Sequence, residues 1–448
     1  MNIGLIHFRV GETDGVSLEM EKWKYILEKL GHTVWYIAGS GEIDDVLYMK
    51  GLHYQNPTNT LLVNHIYRKA EDGYSGDDIK TIYLNYAQEI EHELHQLIDD
   101  YQIDMIIPNN ILSLGWNIAA GKAISEVIEK TGVKVIAHHH DFYWERELYS
   151  QPKYEWVEEV LENYFPPKND NVSHVVINNL AQKSMMDKKG LKAVIVPNVF
   201  DFEQNWMLTD GYNSKIRQEL ALKKTDIVLL QGTRVVARKG IELTLRSMHY
   251  MNERLPNYIG KKLYNGEEIT PESRIILVLV GLNEDEEYYQ KLKALALNEQ
   301  VDILDVSHRI DFERKSIYGE KIFSLWDAYQ LADLVSYPSL LEGFGNQLLE
   351  AVYANKPFLI YEYPVYKSYL KHFGLSAISF GDDHELDQQK LAIVTEDISI
   401  HVAEKALEIL TSSKEYEAMT KRNYDICLRE FSYKKLYQLL NELIGKKN

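Results

Sequence analysis

Cysteine is nearly absent: the 448 residues include one, Cys427. A disulfide framework is thereby excluded, and the composition fits a reducing cytoplasm, the expected location. A lone thiol in a helical stretch reads as a semi-buried packing residue. Positive charge is also short, with 49 Lys and Arg against 67 Asp and Glu and a formal net charge of -18. Nucleic acid is therefore not an expected partner, because binding its phosphates needs basic surface. An anionic membrane is disfavoured on the same ground, and no membrane association is expected. No apolar run approaches the roughly 18 residues that a membrane span needs. The opening segment Met1–Val10 enters a strand pattern at once and lacks the long apolar core of a signal peptide. There is no short-period repeat and no low-complexity tract.

What is present is an ordinary globular composition, 45% hydrophobic and 26% charged. At roughly 100–200 residues per domain the length predicts two or three domains. Short apolar strands alternate with amphipathic helices from the first residue. The first series has strands at Ile3–Phe8, Thr33–Ala38, Met105–Pro108, Lys134–His138, Val172–Asn178 and Ala193–Val196. Helices are expected over Ser17–Leu30, Ile79–Tyr101 and Gly115–Lys130, with 39–75 polar and irregular. Pro197–Asp201 breaks the rhythm. A second series follows, with strands at Ile227–Gln231, Arg274–Val280, Asp302–Val306, Leu334–Tyr337, Phe358–Ile360 and Ala377–Ser379. Its helices are expected at Ile241–Leu255, Asp285–Asn298, Ile322–Leu331 and Asn346–Ala354, with polar insertions at 256–273 and 307–320. The βα alternation predicts an α/β chain of two Rossmann-like, doubly wound parallel sheets. The expected domains are 1–200 and 201–424, with a C-terminal helix from about 425 to 448 packing back on the first.

Two motifs carry chemistry. Gly232-Thr233-Arg234 and Arg238-Lys239-Gly240 follow the apolar strand Ile227–Leu230. Ligands of doubly wound sheets bind outside the carboxyl ends of strands. There an Arg fork and a Lys point charge suit diphosphate oxygens and stabilise charge on a departing diphosphate. Arg238 reads as a solvent-facing neighbour. Further on, Glu342-Gly343-Phe344-Gly345-Asn346 opens an apolar helix that carries Glu350. Backbone N–H groups at such a helix start seat a phosphate, and carboxylates bind hydroxyls. Together the two motifs read as a sugar-nucleotide site. In the first half, Asn109-Asn110 sits at a strand end, where it either binds an acceptor hydroxyl or forms a turn. His138-His139-His140 is not read as a metal site, since successive side chains of a strand point to opposite faces; no metal and no cofactor are expected.

The run Arg234–Gly240, Pro197-Asn198-x-x-Asp201, Tyr337-Pro338-Ser339 and Glu342-x7-Glu350, in that set and over nearly the whole chain, resemble the family-4 retaining glycosyltransferases of the GT-B fold. The longer string His138 to Arg146 is similar to a subset that builds glycosylated compatible solutes, such as the mannosylglucosylglycerate synthases. The resemblance implies two domains facing a central cleft, the first for the acceptor and the second for a GDP- or UDP-hexose. It implies metal-independent retaining transfer of a hexose to a small soluble hydroxyl acceptor. Implied catalytic residues are His140, Arg234, Lys239 and Glu342. Implied donor contacts are Gly232, Gly343, Phe344, Gly345, Asn346, Glu350 for ribose hydroxyls, and Arg309 by position near the nucleobase. The acceptor side would hold Gly15, where the family often has Gly-Gly and this chain Asp14-Gly15, with Asn110, Asp141, Trp144 and Arg146. Trp144 would stack on a sugar face or pack as a core residue, and Arg146 would meet a carboxylate or pair with a nearby acid. A sugar-nucleotide epimerase, a phosphorylase and a noncatalytic binding subunit stay open on the same architecture.

Overall fold

The computed structural model describes residues 1–445 except 13, 42 and 71. Thr13 of the expected Gly11–Gly15 loop and residues 446–448 of the expected tail helix lie outside the described residues. Residues 1–199 and the chain from Tyr433 onward form one unit, and Phe200–Ser432 forms a second.

Unit 1 runs β1 (Asn2–Arg9), α1 (Gly15–Lys29), β2 (Thr33–Ser40), β3 (Val46–Tyr48), α2 (Pro57–Tyr67), α3 (Gly76–Asp100) and β4 (Met105–Pro108). It continues α4 (Ile118–Thr131), β5 (Lys134–His139), α5 (Glu147–Ser150), α6 (Glu155–Tyr164), β6 (Val172–Val176), α7 (Asn179–Lys189) and β7 (Ala193–Ile195). The strands are parallel in the order β3-β2-β1-β4-β5-β6-β7. The chain winds outward from β1 to β3, then crosses back to place β4 on the other side of β1. That reversal is the switch point at which such sheets bind ligands.

Unit 2 repeats the plan. It runs α8 (Ile216–Glu219), β8 (Ile227–Gln231), α9 (Ile241–Arg254), β9 (Ile275–Leu279), α10 (Glu286–Glu299), β10 (Asp302–Asp305), β11 (Ile310–Asp311), β12 (Lys315–Ile317) and β13 (Glu320–Ser324). Then come α11 (Leu325–Leu331), β14 (Leu334–Tyr337), α12 (Asn346–Tyr353), β15 (Phe358–Ile360), α13 (Pro364–Ser368), β16 (Ile378–Ser379), α14 (Glu396–Leu410) and α15 (Ser413–Glu430). The main sheet order is β10-β9-β8-β14-β15-β16, so its switch point lies between β8 and β14. The tail helix α16 (Tyr433–Gly445) returns to unit 1.

Both faces of the first sheet are buried, as an apolar parallel strand requires. Ile3 and Leu5 of β1 pack with Trp23, Ile26 and Leu27 of α1 and with Leu436 and Leu440 of α16. The alternate residues Ile6 and Phe8 pack with Tyr83, Ile90 and Leu94 of α3. The end of unit 1 is clamped from α1: Lys22 Nζ donates to the Val199 carbonyl at 2.7 Å and to buried Glu19.

Several details depart from the sequence reading, among them β11 and β12 within the expected polar insertion 307–320 and the start of α4 at Ile118 rather than Gly115. The stretch 39–75 is more ordered than expected, holding the end of β2, then β3 and α2, whose Asn56 cap accepts from the Thr58 and Asn59 N–H groups. The helix expected from Ile322 starts at Leu325, because Ile322 and Phe323 pair in β13 and the Ser324 side chain caps the Asp327 N–H. The crossing back to unit 1 falls at 432/433, since α15 runs to Glu430 within unit 2.

Histidines crowd the strand ends of unit 1. His7 Nδ1 meets the Asn109 carbonyl at 2.7 Å, His138 Nδ1 meets Asn109 Oδ1 at 3.0 Å, and His139 Nε2 meets His174 Nδ1 at 3.0 Å. The His138 ring also stacks on Trp23 at 4.4 Å between centroids. Burial disfavours imidazolium and pushes His7 and His174 down to about 4 from 6.5. Below pH 6.5 the unfolded chain therefore takes up protons that the folded chain refuses. The stability from these neutral rings is complete above about 6.5 and lost as pH falls toward 4, at about 1.4 kcal/mol per pH unit for each ring. Melting temperature should fall steeply across that window, and less steeply in His174→Asn. A flat profile in wild type would refute the assignment of neutral buried histidines.

Candidate functional site

The unit 2 constellation sits at its switch point. After β8 the chain turns at Gly232, and Val235 N–H donates to the Leu282 carbonyl at 2.9 Å. Gly281 has no room for a side chain: a Cβ there would lie 1.9 Å from the Thr233 carbonyl oxygen. This close approach of the loops after β8 and β9 brings Arg234 to Glu284, with Nη1 donating at 3.1 and 2.9 Å to the two carboxylate oxygens. Glu284 was not singled out from the sequence, although its place just beyond a strand end was a signal.

Lys239 closes a short turn after Val236 and is buried, 6% exposed. Its Nζ donates to Glu342 Oε1, and Arg238 Nη1 donates to Glu342 Oε2 at 3.3 Å and to the Leu341 carbonyl at 3.2 Å. Arg238 is thus a second partner of Glu342 rather than a purely solvent-facing neighbour. Burial pushes the Lys239 ammonium below its usual range, and the Glu342 charge opposes the shift. Gly240 adopts φ +58, and a Cβ on it would lie 2.4 Å from the Pro338 carbonyl oxygen. Only glycine lets the loops after β8 and β14 pass this closely.

Past Glu342 the chain turns at Gly343-Phe344-Gly345 into α12. The Phe344 side chain is buried against Tyr369 and Phe431, so the ring anchors the turn in the core; the Phe344 carbonyl accepts from Tyr363 Oη at 2.7 Å. Gly345 has φ +133. Asn346 is the first residue of α12 and Glu350 lies one turn in. Tyr329 of α11, fully buried, donates its hydroxyl to Glu350 Oε2 at 2.9 Å. Burial and the Glu350 charge both hold the Tyr329 proton on. Gly232 belongs to the same cluster, since a Cβ there would lie 3.2 Å from Tyr329 Oη. Arg309 makes its contacts elsewhere: Nε donates to the Lys321 carbonyl at 3.0 Å and Nη2 lies 3.8 Å from Glu219. It ties β13 to α8.

The unit 1 constellation also sits at a switch point. Asn110 follows β4 with φ +59. Its Oδ1 accepts from the His140 N–H at 3.1 Å, the Asp141 N–H at 3.2 Å and Ser113 Oγ at 3.0 Å, and its Nδ2 donates to Asp141 Oδ1 at 2.6 Å. The amide therefore holds the 140–141 turn. Asp141 in turn accepts from Arg146 Nε at 2.5 Å, and the Arg146 side chain is more than half exposed. The His140 ring lies 4.4 Å from that of His138, and burial pushes its pKa down to about 4, so it is neutral at physiological pH. Trp144 has one face stacked on Phe142 at 4.4 Å and donates Nε1–H to Ser184 Oγ at 2.8 Å, which anchors it in a small satellite core. Gly15 is the first residue of α1, capped by Asp14 Oδ1, which accepts from the Val16 and Ser17 N–H groups at 3.1 and 3.2 Å. Among the described residues, a Cβ at Gly15 would meet nothing within 4 Å. Among the described residues no group of three His, Cys, Asp or Glu side chains could hold a metal ion.

The profile of the glycosyl transferases group 1 family matches residues 213–425. The chain is 39% identical over 425 residues to the mannosylglucosylglycerate synthase of Petrotoga mobilis, covering 94% of this chain and 96% of that one. It is 37% identical over 441 residues to the mannosylglucosylglycerate synthase of Thermotoga maritima, covering 98% and 99%. Among solved structures it resembles the E. coli trehalose-6-phosphate protein bound with UDP-2-fluoro glucose, with TM-score 0.61, 11% identity and all of both chains covered. Two Rossmann-like units, the group 1 profile and full-length identity above 30% agree. The chain belongs to the group 1 glycosyltransferases of GT-B fold, close to the mannosylglucosylglycerate synthases.

Proposed function

We propose that the protein forms mannosylglucosylglycerate by retaining transfer of mannose from GDP- or UDP-mannose to a hydroxyl of glucosylglycerate, without a metal ion and in the cytoplasm. The observation that carries the reading is the Lys239–Glu342 pair at the unit 2 switch point, beside the start of α12 and Glu350. The products named for the two full-length relatives supply the sugar and the acceptor.

On this reading unit 2 takes the donor. An ammonium has three N–H donors and a guanidinium five. After their bonds to Glu342 and Glu284, Lys239 and Arg234 keep donors for diphosphate oxygens, and Arg238 adds charge nearby. These cations take the role that a divalent ion plays in metal-dependent transferases. Glu342 faces the hexose, and Glu350, fixed by Tyr329, accepts from ribose hydroxyls. The bond from the sugar C1 to the diphosphate oxygen breaks as the acceptor oxygen bonds C1 from the same face. The acceptor proton passes to the departing phosphate oxygen, so no separate protein base is required.

Unit 1 takes the acceptor. Neutral His140 offers a sugar hydroxyl a partner without adding charge. Arg146, oriented by Asp141 and through it by Asn110, offers its remaining donors to the glycerate carboxylate. Among the described residues Gly15 leaves open space at the start of α1 for the acceptor, and Trp144, held by Ser184, offers its indole to a sugar face.

Incubation with GDP-mannose or UDP-mannose and glucosylglycerate should yield a product heavier by one hexose, with the donor's anomeric configuration retained by NMR. No transfer from either donor, or transfer only to another acceptor, would defeat the substrate assignment. Activity should persist in EDTA; loss on chelation with rescue by a divalent ion would contradict metal independence. Lys239→Ala should lower kcat/KM by about 10²–10³-fold, as loss of one donor to developing negative charge does, in a chain that still folds but melts lower because Glu342 loses its partner. Wild-type turnover in that variant would remove the leaving-group role. Arg146→Ala should raise KM for glucosylglycerate and leave KM for the donor unchanged; the reverse pattern would move Arg146 off the acceptor side.

A further inference from the structure

Gln347 is the second residue of α12 and is 5% exposed. Neither polar atom of its carboxamide, Nε2 or Oε1, has a hydrogen-bond partner among the described residues. An enclosed amide with donor and acceptor both open costs stability, and native proteins seldom retain one without a use. The setting of this amide is specific. A Cβ on Gly232 would lie 2.9 Å from Gln347 Nε2 and 3.2 Å from Tyr329 Oη. The Gln347 amide lies beside the Tyr329 hydroxyl and opposes the rise that burial and the Glu350 charge impose on the phenol; the hydroxyl's proton goes to Glu350 at 2.9 Å, and neither amide atom has a partner in full hydrogen-bond geometry. Gln347 and Glu350 are spaced i, i+3 and share a helix face, about 5–6 Å apart at their Cβ atoms. Gly232, Tyr329, Gln347 and Glu350 therefore form one cluster where the turn after β8 meets the start of α12.

The glycine explains part of this arrangement. Its missing side chain leaves the space that the Gln347 amide borders. An alanine methyl at 232 would press on Nε2 and on Tyr329 Oη at once. The helix start by itself would be an unremarkable anion seat. The open amide, which borders the space left at Gly232, is the second, independent feature, and it can both give and accept a hydrogen bond.

We propose that Gln347 is a donor-binding residue whose carboxamide hydrogen-bonds the ribose–phosphate segment of a nucleoside diphosphate. Nε2 gives a proton to a phosphate or ribose oxygen, and Oε1 accepts from a ribose hydroxyl. The proposal rests on the reading that unit 2 takes the sugar nucleotide, and it adds a side chain one helical turn before Glu350 as a second reader of the same ligand. Ribose and phosphate are the ligand chemistry that fits. A hydroxyl is donor and acceptor, as the amide is, and a phosphate oxygen takes the Nε2 proton.

The test uses Gln347→Leu, close in size and without polar atoms, in the full chain. Melting temperature is measured free and with saturating GDP, UDP and ADP, and the KM for the sugar nucleotide and kcat are measured with the nucleotide that stabilises wild type. The free variant should melt at or above wild type, because open buried polar groups have been removed. Its nucleotide-induced rise should shrink, and its donor KM should increase roughly tenfold with a smaller change in kcat, as loss of one hydrogen bond to an anionic ligand predicts. A variant that melts lower yet keeps the wild-type nucleotide shift and KM makes the amide a structural residue and overturns the proposal. An unchanged shift and KM overturn it whatever the melting temperature. Gln347→Met is read in the same way if the leucine variant does not fold, and failure of both to fold counts as the structural outcome. If wild type itself is stabilised by none of the three nucleotides, the donor reading of unit 2 fails first. Stabilised wild type with an indifferent variant sinks only the role of Gln347.

Discussion

The geometry of the unit 2 site depends on one ion pair, between buried Lys239 and half-buried Glu342. Lys239 and Glu342 stand 103 residues apart in sequence, one in the loop after β8 and the other in the loop after β14. A buried ammonium needs a fixed counter-charge, and removing one partner of such a pair typically costs about 3–5 kcal/mol, because the other charge is left uncompensated. The backbone around the pair is arranged to allow it. Gly240 takes φ +58 so that the Pro338 carbonyl can pass, and the Leu340 N–H donates to the Arg238 carbonyl at 2.9 Å. With those two loops tied, the 343–345 turn and the start of α12 have a set position. Tyr363, which donates to the Phe344 carbonyl at 2.7 Å, holds that turn from the opposite side.

The same topological event occurs twice in the chain, and the two sites are finished with different chemistry. In unit 2 the inner end of the switch point is a buried polar chain: Gln231 Nε2 to Thr233 Oγ1 at 2.6 Å, Ser336 Oγ to Gln231 Oε1 at 2.7 Å, and Thr244 Oγ1 to Ser336 Oγ at 2.8 Å. It links β8, β14 and α9 beneath the charged loops. In unit 1 the corresponding places are filled by amides and imidazoles, with Asn109 meeting His7 and His138, and Asn110 meeting the 140–141 turn. Burial keeps those rings neutral. One site is thus lined by paired charges suited to an anion. The other has uncharged hydrogen-bonding groups suited to hydroxyls, with the Asp141–Arg146 pair as its nearby charge.

Much of this was legible in the sequence because parallel strands are short apolar runs and their carboxyl ends are where polar motifs collect. The strand series, Lys239, Glu342 and the helix that carries Glu350 were read from local pattern. The residues that escaped notice owe their roles to partners far along the chain. Glu284 meets Arg234 across 50 residues, and Tyr329 meets Glu350 across 21. Gln347 and Gly232 come together only when α12 docks on the end of β8. Phe344 was grouped with its glycine neighbours as a donor contact, but an aromatic in a tight turn can equally well be the turn's anchor, and sequence spacing does not say which way the ring goes. α6, α7, α14 and most of α15 fall outside the helices expected from sequence, although their buried residues recur at helical spacing.

Asn110 shows how a residue's place and its task can separate. Its position at the end of β4 is where a ligand contact is expected in a doubly wound sheet. Its amide instead bonds to two backbone N–H groups, one hydroxyl and one carboxylate, all in the same unit. Asparagine suits this because it tolerates a left-handed backbone and carries both donor and acceptor on a short stem. Aspartate in its place would repel Asp141, and glycine would supply the backbone angle without the bonds. What reaches outward from this corner is the Arg146 guanidinium, held through Asp141, and its direction is set by a residue that need not touch any ligand. Strand ends at a switch point are thus occupied by two kinds of polar residue, those that face a ligand and those that hold them. The hydrogen-bond partners, rather than the position, tell the two apart.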